Sequence, residues 1–219
     1  MIDLHTHSLL SDGELLPAEL ARRAKAKGYS AIGISDHVDH TNIENVIASI
    51  LKLSEHIAYQ EGITVLPGVE ITHVPCKLIK GLIGTARELG IFYVVVHGET
   101  IAEPVEEGTN REAIEGRADI LAHPGLITEG DVARAKENGV LLEISGRKGH
   151  SLTNGHVGKL AGKFGAKLIF NTDSHDPSDL VSKEQAGNIV LGAGLTLDAF
   201  HMMQNNAFEL LQRATEKRR

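Results

Sequence analysis

Residues 2–37 read IDLHTHSLLSDGELLPAELARRAKAKGYSAIGISDH and contain a short apolar run, a helical stretch and a second apolar run. The helical stretch has Pro17 near its start and Gly28 at its end, the places that these residue types favour in helices. Apolar runs such as Ile2–His5 and Ala31–Ser35 are typical of strands buried on both faces of a parallel sheet. The stretch therefore predicts a β–α–β unit.

The same alternation continues along the rest of the chain. An amphipathic stretch spans about residues 42–60, Thr128 and Gly139 bound another, and Asn206 with Glu209 predicts the N-terminal cap of a last helix. Five more apolar runs occur, at Thr64–Glu70, Ile91–His97, Asp119–His123, Val140–Ile144 and Lys167–Asn171. Seven strands that alternate with helices predict a parallel α/β fold, in a single domain of residues 1–219.

The composition is that of a folded protein with an acidic balance. The 219 residues include 22 basic and 29 acidic side chains, a formal net charge of −7, and only 4% are aromatic. This balance argues against a general nucleic-acid-binding surface, although the end of an oligonucleotide can still reach a metal site. Cys76 is the single cysteine, which excludes an intramolecular disulfide and suits a cytoplasmic protein. No signal peptide is visible, and the longest apolar run, Ile91–Val96, is too short to cross a membrane.

Histidine is frequent, with 12 residues in the chain. Each predicted strand ends in, or is followed by, side chains that can bind a metal: His5, His7 and Asp12; Asp36 and His37; Glu70; His97; His123; Glu143; Asp173 and His175. In a (β/α) barrel the C-terminal ends of all strands converge on one face, whereas the two edges of an open sheet lie too far apart to share a site. The complete ring therefore favours a closed, seven-stranded barrel with a metal site at that face.

The spacing and the donor types of these residues point to metal chemistry. His5 and His7 are two residues apart in an extended segment, so their imidazoles point to the same side, and Asp173 and His175 repeat this spacing. Glu70 has two carboxylate oxygens and can bridge two ions. A single histidine at a strand end is usually a structural hydrogen-bonding residue, but so many buried ionisable groups are costly without a cation. Nitrogen and oxygen donors exclude a thiolate site and suit Zn, Mn, Fe or Co.

The polar segments at the strand ends resemble the motifs of a known family. In chain order they are HTHSLLSDG at 5–13, SDH at 35–37, PGVE at 67–70, HGE at 97–99, AHP at 122–124 and NTDSH at 171–175. Together they resemble the PHP (polymerase and histidinol phosphatase) family over residues 1 to about 180. The resemblance implies a distorted, seven-stranded (β/α)7 TIM-like barrel that binds two or three divalent metal ions, with Zn, Mn or Fe favoured.

The resemblance also implies which side chains bind each ion. By position, the three sets are His5, His7, Glu70 and Asp173; Asp12, His37 and His175; and His97 and His123 together with Glu70 as the bridge. The activity that the resemblance implies is phosphoester hydrolysis by a metal-activated water.

Other residues are candidates for contacts with a substrate. His37 or His175 can supply a proton to the leaving group if it is not fully committed to a metal. Arg147, Lys148 and His150 follow the sixth predicted strand, at the expected mouth of the pocket, where an arginine can bind phosphate oxygens in a bidentate manner. The alternative for these three residues is a solvated loop.

A further group is expected to surround the site. Asp3, Asp36 and Glu99 are candidates for orienting a ligand imidazole, with a capping or solvent-facing role as the alternative. His40 and His73 lie in loops on the same side and are candidates for lining the pocket.

Several functions are compatible with these patterns. The leading hypothesis is hydrolysis of a small phosphate monoester, as by histidinol phosphatase, without a membrane partner. A phosphodiesterase or exonuclease that acts on nucleotides or oligonucleotide ends is the alternative from the same family. An amidohydrolase barrel commonly has a bridging lysine where this sequence has His97. A non-catalytic RNA-binding subunit, as in archaeal RNase P, is disfavoured by the net charge and by the complete ligand ring. The oligomeric state is left open.

Overall fold

The computed structural model describes residues 1–60 and 62–216, with the side chains of residues 54–60 outside that description. The strands are β1 Ile2–Asp3, β2 Ala31–Ile34, β3 His37–Val38, β4 Thr64–Ile71, β5 Tyr93–His97, β6 Ile120–Ala122, β7 Leu141–Ser145 and β8 Leu168–Asn171. The helices are α1 Pro17–Ala26, α2 Ile43–Gln60, α3 Cys76–Glu88, α4 Thr109–Glu115, α5 Glu129–Asn138, α6 Asn154–Phe164, α7 Lys183–Gly192 and α8 Leu197–Glu216, and a short 3₁₀ helix spans His150–Thr153. Within this described part of the chain, no helix is both long and apolar enough to cross a bilayer.

The strands form a nearly closed parallel barrel. Their order is β1-β2-β4-β5-β6-β7-β8, and β3 continues the line of β2 by pairing with β4. Between the first and last strands, Thr6 and Ser174 form a parallel bridge. The Leu4 N–H donates to Asn171 Oδ1 at 2.8 Å across the same gap. These contacts confirm the predicted seven-stranded, TIM-like barrel.

Side-chain alternation along each strand separates the barrel interior from the layer that faces the helices. On β5, Tyr93 and Val95 belong to an inner apolar cluster, whereas Val94 and Val96 pack in the outer layer. His97 continues the inward series at the end of the strand. Leu210 of α8 packs in the inner cluster together with Ile2. Helix α8 therefore closes the N-terminal end of the barrel, which leaves the C-terminal end for polar side chains.

Two glycines allow Tyr93 to lie inside the barrel. A Cβ atom on Gly33 would lie 2.1 Å from the Tyr93 hydroxyl oxygen, and one on Gly68 would lie 2.2 Å from its ring. The hydroxyl donates a hydrogen bond to the Leu4 carbonyl oxygen at 2.8 Å. The ring thus links β5 to the residue after β1. It occupies space that is free because Gly33 on β2 and Gly68 on β4 have no side chain.

The helix signals are partly confirmed. Thr128 Oγ1 accepts a hydrogen bond from the third residue of α5, and Gly139 ends that helix with a φ of 71°. The cap predicted at Asn206 is wrong, because Asn206 lies inside α8 and its Nδ2 donates to the Leu168 carbonyl oxygen at 2.7 Å. Helix α8 begins after Thr196, whose Oγ1 accepts from a first-turn N–H group. The hydrogen bond to β8 explains why a polar residue, Asn206, occurs at this position inside the helix.

Candidate metal centre

The candidate ligands meet at the C-terminal end of the barrel. His5 and His7 follow β1, His37 begins β3, Glu70 lies on β4, His97 ends β5, His123 follows β6, Asp173 and His175 follow β8, and Asp12 lies in the loop between β1 and α1. Most of these side chains are buried, while His37 and His175 are partly exposed and Asp12 is exposed. The barrel therefore brings together residues that are far apart in the sequence, from His5 in the first predicted motif to His175 in the last.

Two of these residues have unusual backbone conformations. His123 has a φ of 25° and Asp173 a φ of 52°. Positive φ is uncommon for residues other than glycine, and such strain is concentrated at functional sites. The Asp173 N–H still donates to the His5 carbonyl oxygen at 2.9 Å, so the turn after β8 is held against the segment after β1.

The ligand atoms form overlapping groups, each compact enough to hold an ion. The groups, whose atoms lie within 4.8 Å of one another, are His7, Asp12, His37 and His175; His5, His123 and Asp173; His5, His7 and Glu70; and Glu70, His97 and His123. The last group is the third set that the family resemblance implies. The group of His7, Asp12, His37 and His175 is the second implied set with His7 added. The residues of the first implied set, His5, His7, Glu70 and Asp173, are divided between the two remaining groups.

Glu70 occupies the centre of the cluster. Its Oε2 atom lies 3.3 Å from His5 Nε2, 3.5 Å from His7 Nε2 and 2.8 Å from His37 Nδ1. Its Oε1 atom lies 3.5 Å from His97 Nδ1 and 3.7 Å from His123 Nε2. The two carboxylate oxygens thus face different sets of imidazoles, which is the arrangement that a bridging ligand requires.

The buried polar atoms of this cluster fit metal binding. Among the described residues, nine buried side-chain nitrogen and oxygen atoms have no hydrogen bond of acceptable geometry: His5 Nε2, His7 Nδ1 and Nε2, Glu70 Oε1 and Oε2, His97 Nδ1, His123 Nδ1 and Nε2, and Glu143 Oε1. Buried polar atoms normally have partners, because leaving them unpaired costs about 1–3 kcal/mol each. Divalent cations are partners that suit imidazole nitrogens and carboxylate oxygens in such numbers.

Without a cation, burial and neighbouring charges shift the pKa values of the clustered side chains in opposite directions. Burial lowers the pKa of His5, but the carboxylates of Glu143 and Glu70 outweigh burial and hold that pKa well above its usual range. Burial lowers the pKa of His7 and of His123 well below the usual range, and neighbouring imidazoles add to this effect. Burial raises the pKa of Asp173 to about 7. A shared positive charge at the centre relieves these conflicts.

Glu143 supports His5 from behind. Its Oε2 atom lies 2.8 Å from His5 Nδ1 and also accepts a hydrogen bond from Asn171 Nδ2 at 2.9 Å. This contact turns His5 Nε2 towards Glu70 and Asp173. The sequence pattern places Glu143 in the ring of metal-capable residues, whereas the structure places it as the carboxylate that orients a candidate ligand, a common arrangement at metal sites.

Asp3, Asp36 and Glu99 hold the backbone of the surrounding loops. Asp36 accepts hydrogen bonds from the Ser8 N–H group and from the Ser8 and Ser11 hydroxyl groups, all at 2.8 Å. Asp3 accepts from Thr172 Oγ1 and the His5 N–H, and Glu99 accepts from two N–H groups at the start of α4. These hydrogen bonds go to backbone N–H and hydroxyl groups of the surrounding loops, which is the capping alternative rather than the orientation of an imidazole.

The predicted substrate-binding residues separate in the structure. Arg147 lies beside the cluster, with Nη1 2.8 Å from His175 Nε2 and 3.5 Å from Asp173 Oδ1. It lines a small cavity over the cluster, as does His150. Lys148 is exposed and does not line this cavity. The geometry thus brings Arg147 and His150, but not Lys148, to the site.

Glu103 is a residue of the site that the sequence pattern does not single out. Its carboxylate lies 3.9 Å from His73 Nε2 and 3.7 Å from His150 Nε2, and its carbonyl oxygen lies 3.4 Å from His97 Nε2. Glu103 and His73 line a groove that continues outward from the cavity, whereas His40 is exposed and is not part of its lining. Glu103 belongs to a long loop after β5, so no strand end marks it.

Comparison with known proteins places these features in a family. A family model for the PHP domain matches residues 3–137. An uncharacterized protein of Methanocaldococcus jannaschii is 48% identical over 89% of this chain and 90% of its own length. A probable phosphatase of Thermoanaerobacter is 28% identical over 90% of this chain and 88% of its own length.

Solved structures agree with the fold. A chain of an archaeal ribonuclease P complex with mature tRNA superposes with a TM-score of 0.75 at 16% identity, covering 98% of this chain and 91% of that chain. Histidinol phosphate phosphatase from Lactococcus lactis, in complex with zinc, L-histidinol and phosphate, has a TM-score of 0.61 at 17% identity. The superposition covers 89% of this chain and 94% of that chain. At these identities the likeness concerns the fold alone. The family model, which matches more than half of the chain, shows that the chain belongs to the PHP domain family.

Proposed function

We propose that the protein is a metal-dependent phosphoesterase that hydrolyses a small phosphate monoester. The observation that carries the proposal is the set of unpartnered buried nitrogen and oxygen atoms around Glu70. The relative described as a probable phosphatase supports the same reaction class.

Two or three divalent ions, of which Zn, Mn or Fe suit these donors, would be held by the residues of the four ligand groups. When bound, such ions lower the pKa of a coordinated water and neutralise the charge of phosphoryl oxygens. His37 Nε2 and His175 Nε2 lie 3.4 Å apart, and both face Asp12 Oδ1, at 3.5 and 3.4 Å. This arrangement favours ligation by both histidines over proton donation to the leaving group.

Arg147 is proposed to bind the phosphoryl group. Its guanidinium is permanently charged, lines the cavity and can donate two parallel hydrogen bonds to phosphate oxygens. Its closest partners, His175 and Asp173, belong to the candidate ligand groups, so a phosphate bound there would also lie beside the ions. Lys148 keeps only a weaker proposed role in attracting an anionic substrate from its exposed position.

A nuclease that acts on oligonucleotide ends is the second candidate. The groove lined by Thr41, Asn42 and His73 continues outward from the cavity and offers room for the remainder of a longer substrate. The acidic side chains Asp39 and Glu103 in the same groove disfavour a polyanion. The monoesterase is therefore the leading proposal.

The test combines metal analysis with a substrate panel. Protein loaded with Mn²⁺ or Zn²⁺ is assayed on p-nitrophenyl phosphate, histidinol phosphate, bis-p-nitrophenyl phosphate and a short oligonucleotide. Hydrolysis of monoesters by protein that contains at least two ions per chain is expected. Cleavage of the oligonucleotide alone would establish the second candidate, and absence of both metal and hydrolysis would instead support a non-catalytic, RNA-binding role.

A further inference from the structure

His150 lies in the cavity in a position that no metal group uses. Its side chain is buried, and its ring stacks on that of His123 with centroids 4.1 Å apart. Its Nδ1 atom lies 2.8 Å from Thr100 Oγ1. Its Nε2 atom faces two carboxylates, with Asp173 Oδ2 at 3.6 Å and Glu103 Oε2 at 3.7 Å. The two ring nitrogens therefore have different surroundings.

These surroundings select one tautomer of the neutral ring. Thr100 Oγ1 already accepts a hydrogen bond from the Ala102 N–H group at 3.4 Å, so its own proton is free to be donated to His150 Nδ1. With Nδ1 as the acceptor, the proton of the neutral imidazole is on Nε2. This is also the nitrogen that faces the carboxylate oxygens of Asp173 and Glu103, which favours an N–H over a lone pair.

The residues that line the inner cavity and the outer groove indicate which part of a bound substrate the Nε2–H group would face. Glu103, next to His150 Nε2, lines both the inner cavity and the outer groove, so this nitrogen lies near their junction. The proposed metal ligands occupy the inner side, and Arg147 lies against His175 and Asp173. A phosphate held by them must direct its leaving group outward, towards the groove.

We propose that Thr100 and His150 form a fixed hydrogen-bond donor to the leaving-group oxygen of the substrate, with His150 as a catalytic residue and Thr100 as the residue that positions its proton. This inference rests on the proposed phosphoesterase activity. In the reaction, a water oxygen bonds to phosphorus while the bond from phosphorus to the leaving oxygen breaks. The proton that the water loses is balanced by the one that the leaving oxygen gains through solvent. His150 shares its proton throughout and does not transfer it.

The test compares variants at both positions in metal-loaded protein. His150→Ala is expected to lower kcat about 100-fold with a smaller change in KM, as for other donors to developing negative charge. His150→Gln retains an N–H donor and should recover most of the loss. The loss should be larger for an alkyl phosphate than for p-nitrophenyl phosphate, because the alkyl oxygen develops more charge. His156→Gln is the matched control, since His156 bonds the Ile127 carbonyl oxygen away from the cavity, and it should leave kcat unchanged.

A double-variant cycle separates positioning from general damage. Thr100→Val should lower kcat about tenfold in the wild-type background, the effect of about one hydrogen bond, and have little effect when combined with His150→Gln, whose amide needs no tautomer control. Equal losses in both backgrounds, an equal loss for both leaving groups, or loss of bound metal in His150→Gln would overturn the proposal. An inactive wild-type protein would instead refute the phosphoesterase function itself.

Discussion

The two halves of the barrel interior are built from the same strands, but one half is filled by apolar side chains and the other by buried polar side chains. In the N-terminal half, Leu66, Tyr93 and Leu210 pack with other apolar side chains, and the buried Tyr93 hydroxyl group has a hydrogen-bond partner. In the C-terminal half, the inward side chains of the same strands include Glu70 and His97, and both Glu70 carboxylate oxygens and His97 Nδ1 are buried without good hydrogen bonds. The change from one half to the other takes place within a few residues of each strand.

This contrast shows how stability and function are divided along the strands. The apolar half and its cover, α8, supply burial that stabilises the fold without any ligand. The polar half is unfavourable by itself, because its buried atoms need a cation. Changes in the first half should therefore affect stability alone, and changes in the second should affect metal binding and activity.

The largest effect is expected at the centre of the polar half. Glu70→Ala removes the carboxylate whose two oxygens face all the central imidazoles, and should reduce kcat/KM at least about a thousandfold, or ~4 kcal/mol, with loss of bound metal. Steady-state kinetics and elemental analysis measure both. Glu88→Ala, an exposed residue of α3, is the control and should behave as wild type. Near-normal turnover of Glu70→Ala would contradict the bridging role.

The next largest effect should come from the apolar half. Leu210→Ala leaves a cavity among buried side chains under the barrel and is expected to lower the free energy of unfolding by about 3 kcal/mol. Metal content per folded chain should not change. Denaturant unfolding measures the first quantity, and Met202→Ala, at an exposed position of the same helix, should change it by less than about 0.5 kcal/mol. A Leu210→Ala protein that folds but loses metal would show that the two halves are coupled.

Removal of the metal tests the polar half as a whole. Because ions bind the folded state, the wild-type protein in free metal at 100 times the dissociation constant should be about 2.7 kcal/mol more stable than the chelated protein. Thermal unfolding with and without chelator gives the difference. The same comparison on Glu70→Ala should show little change, and an equal change in both proteins would mean that the stabilising ion binds elsewhere.

The two halves also differ in how far the sequence predicts them. The strands and the positions of His5, Glu70 and His97 follow from apolar runs and from what comes at their ends, which are local patterns. The roles of Glu143 and Glu103 do not, because each depends on a partner that the fold brings from another part of the chain. The same limit explains why Asn206 has the pattern of a helix cap but bonds to β8 instead.

The smallest predicted effect distinguishes a ligand from the residue that orients it. Glu143→Gln keeps an oxygen that can accept from His5 Nδ1 but removes the charge that makes His5 a stronger donor to a metal. Loss of such a partner typically weakens metal affinity 10- to 100-fold, or about 1.4–2.7 kcal/mol. Competition with a chelating dye should show this change, while activity at saturating metal stays near that of the wild type. If Glu143 were instead a ligand, activity would remain low even at saturating metal, as in Glu70→Ala, and the orienting role would be wrong.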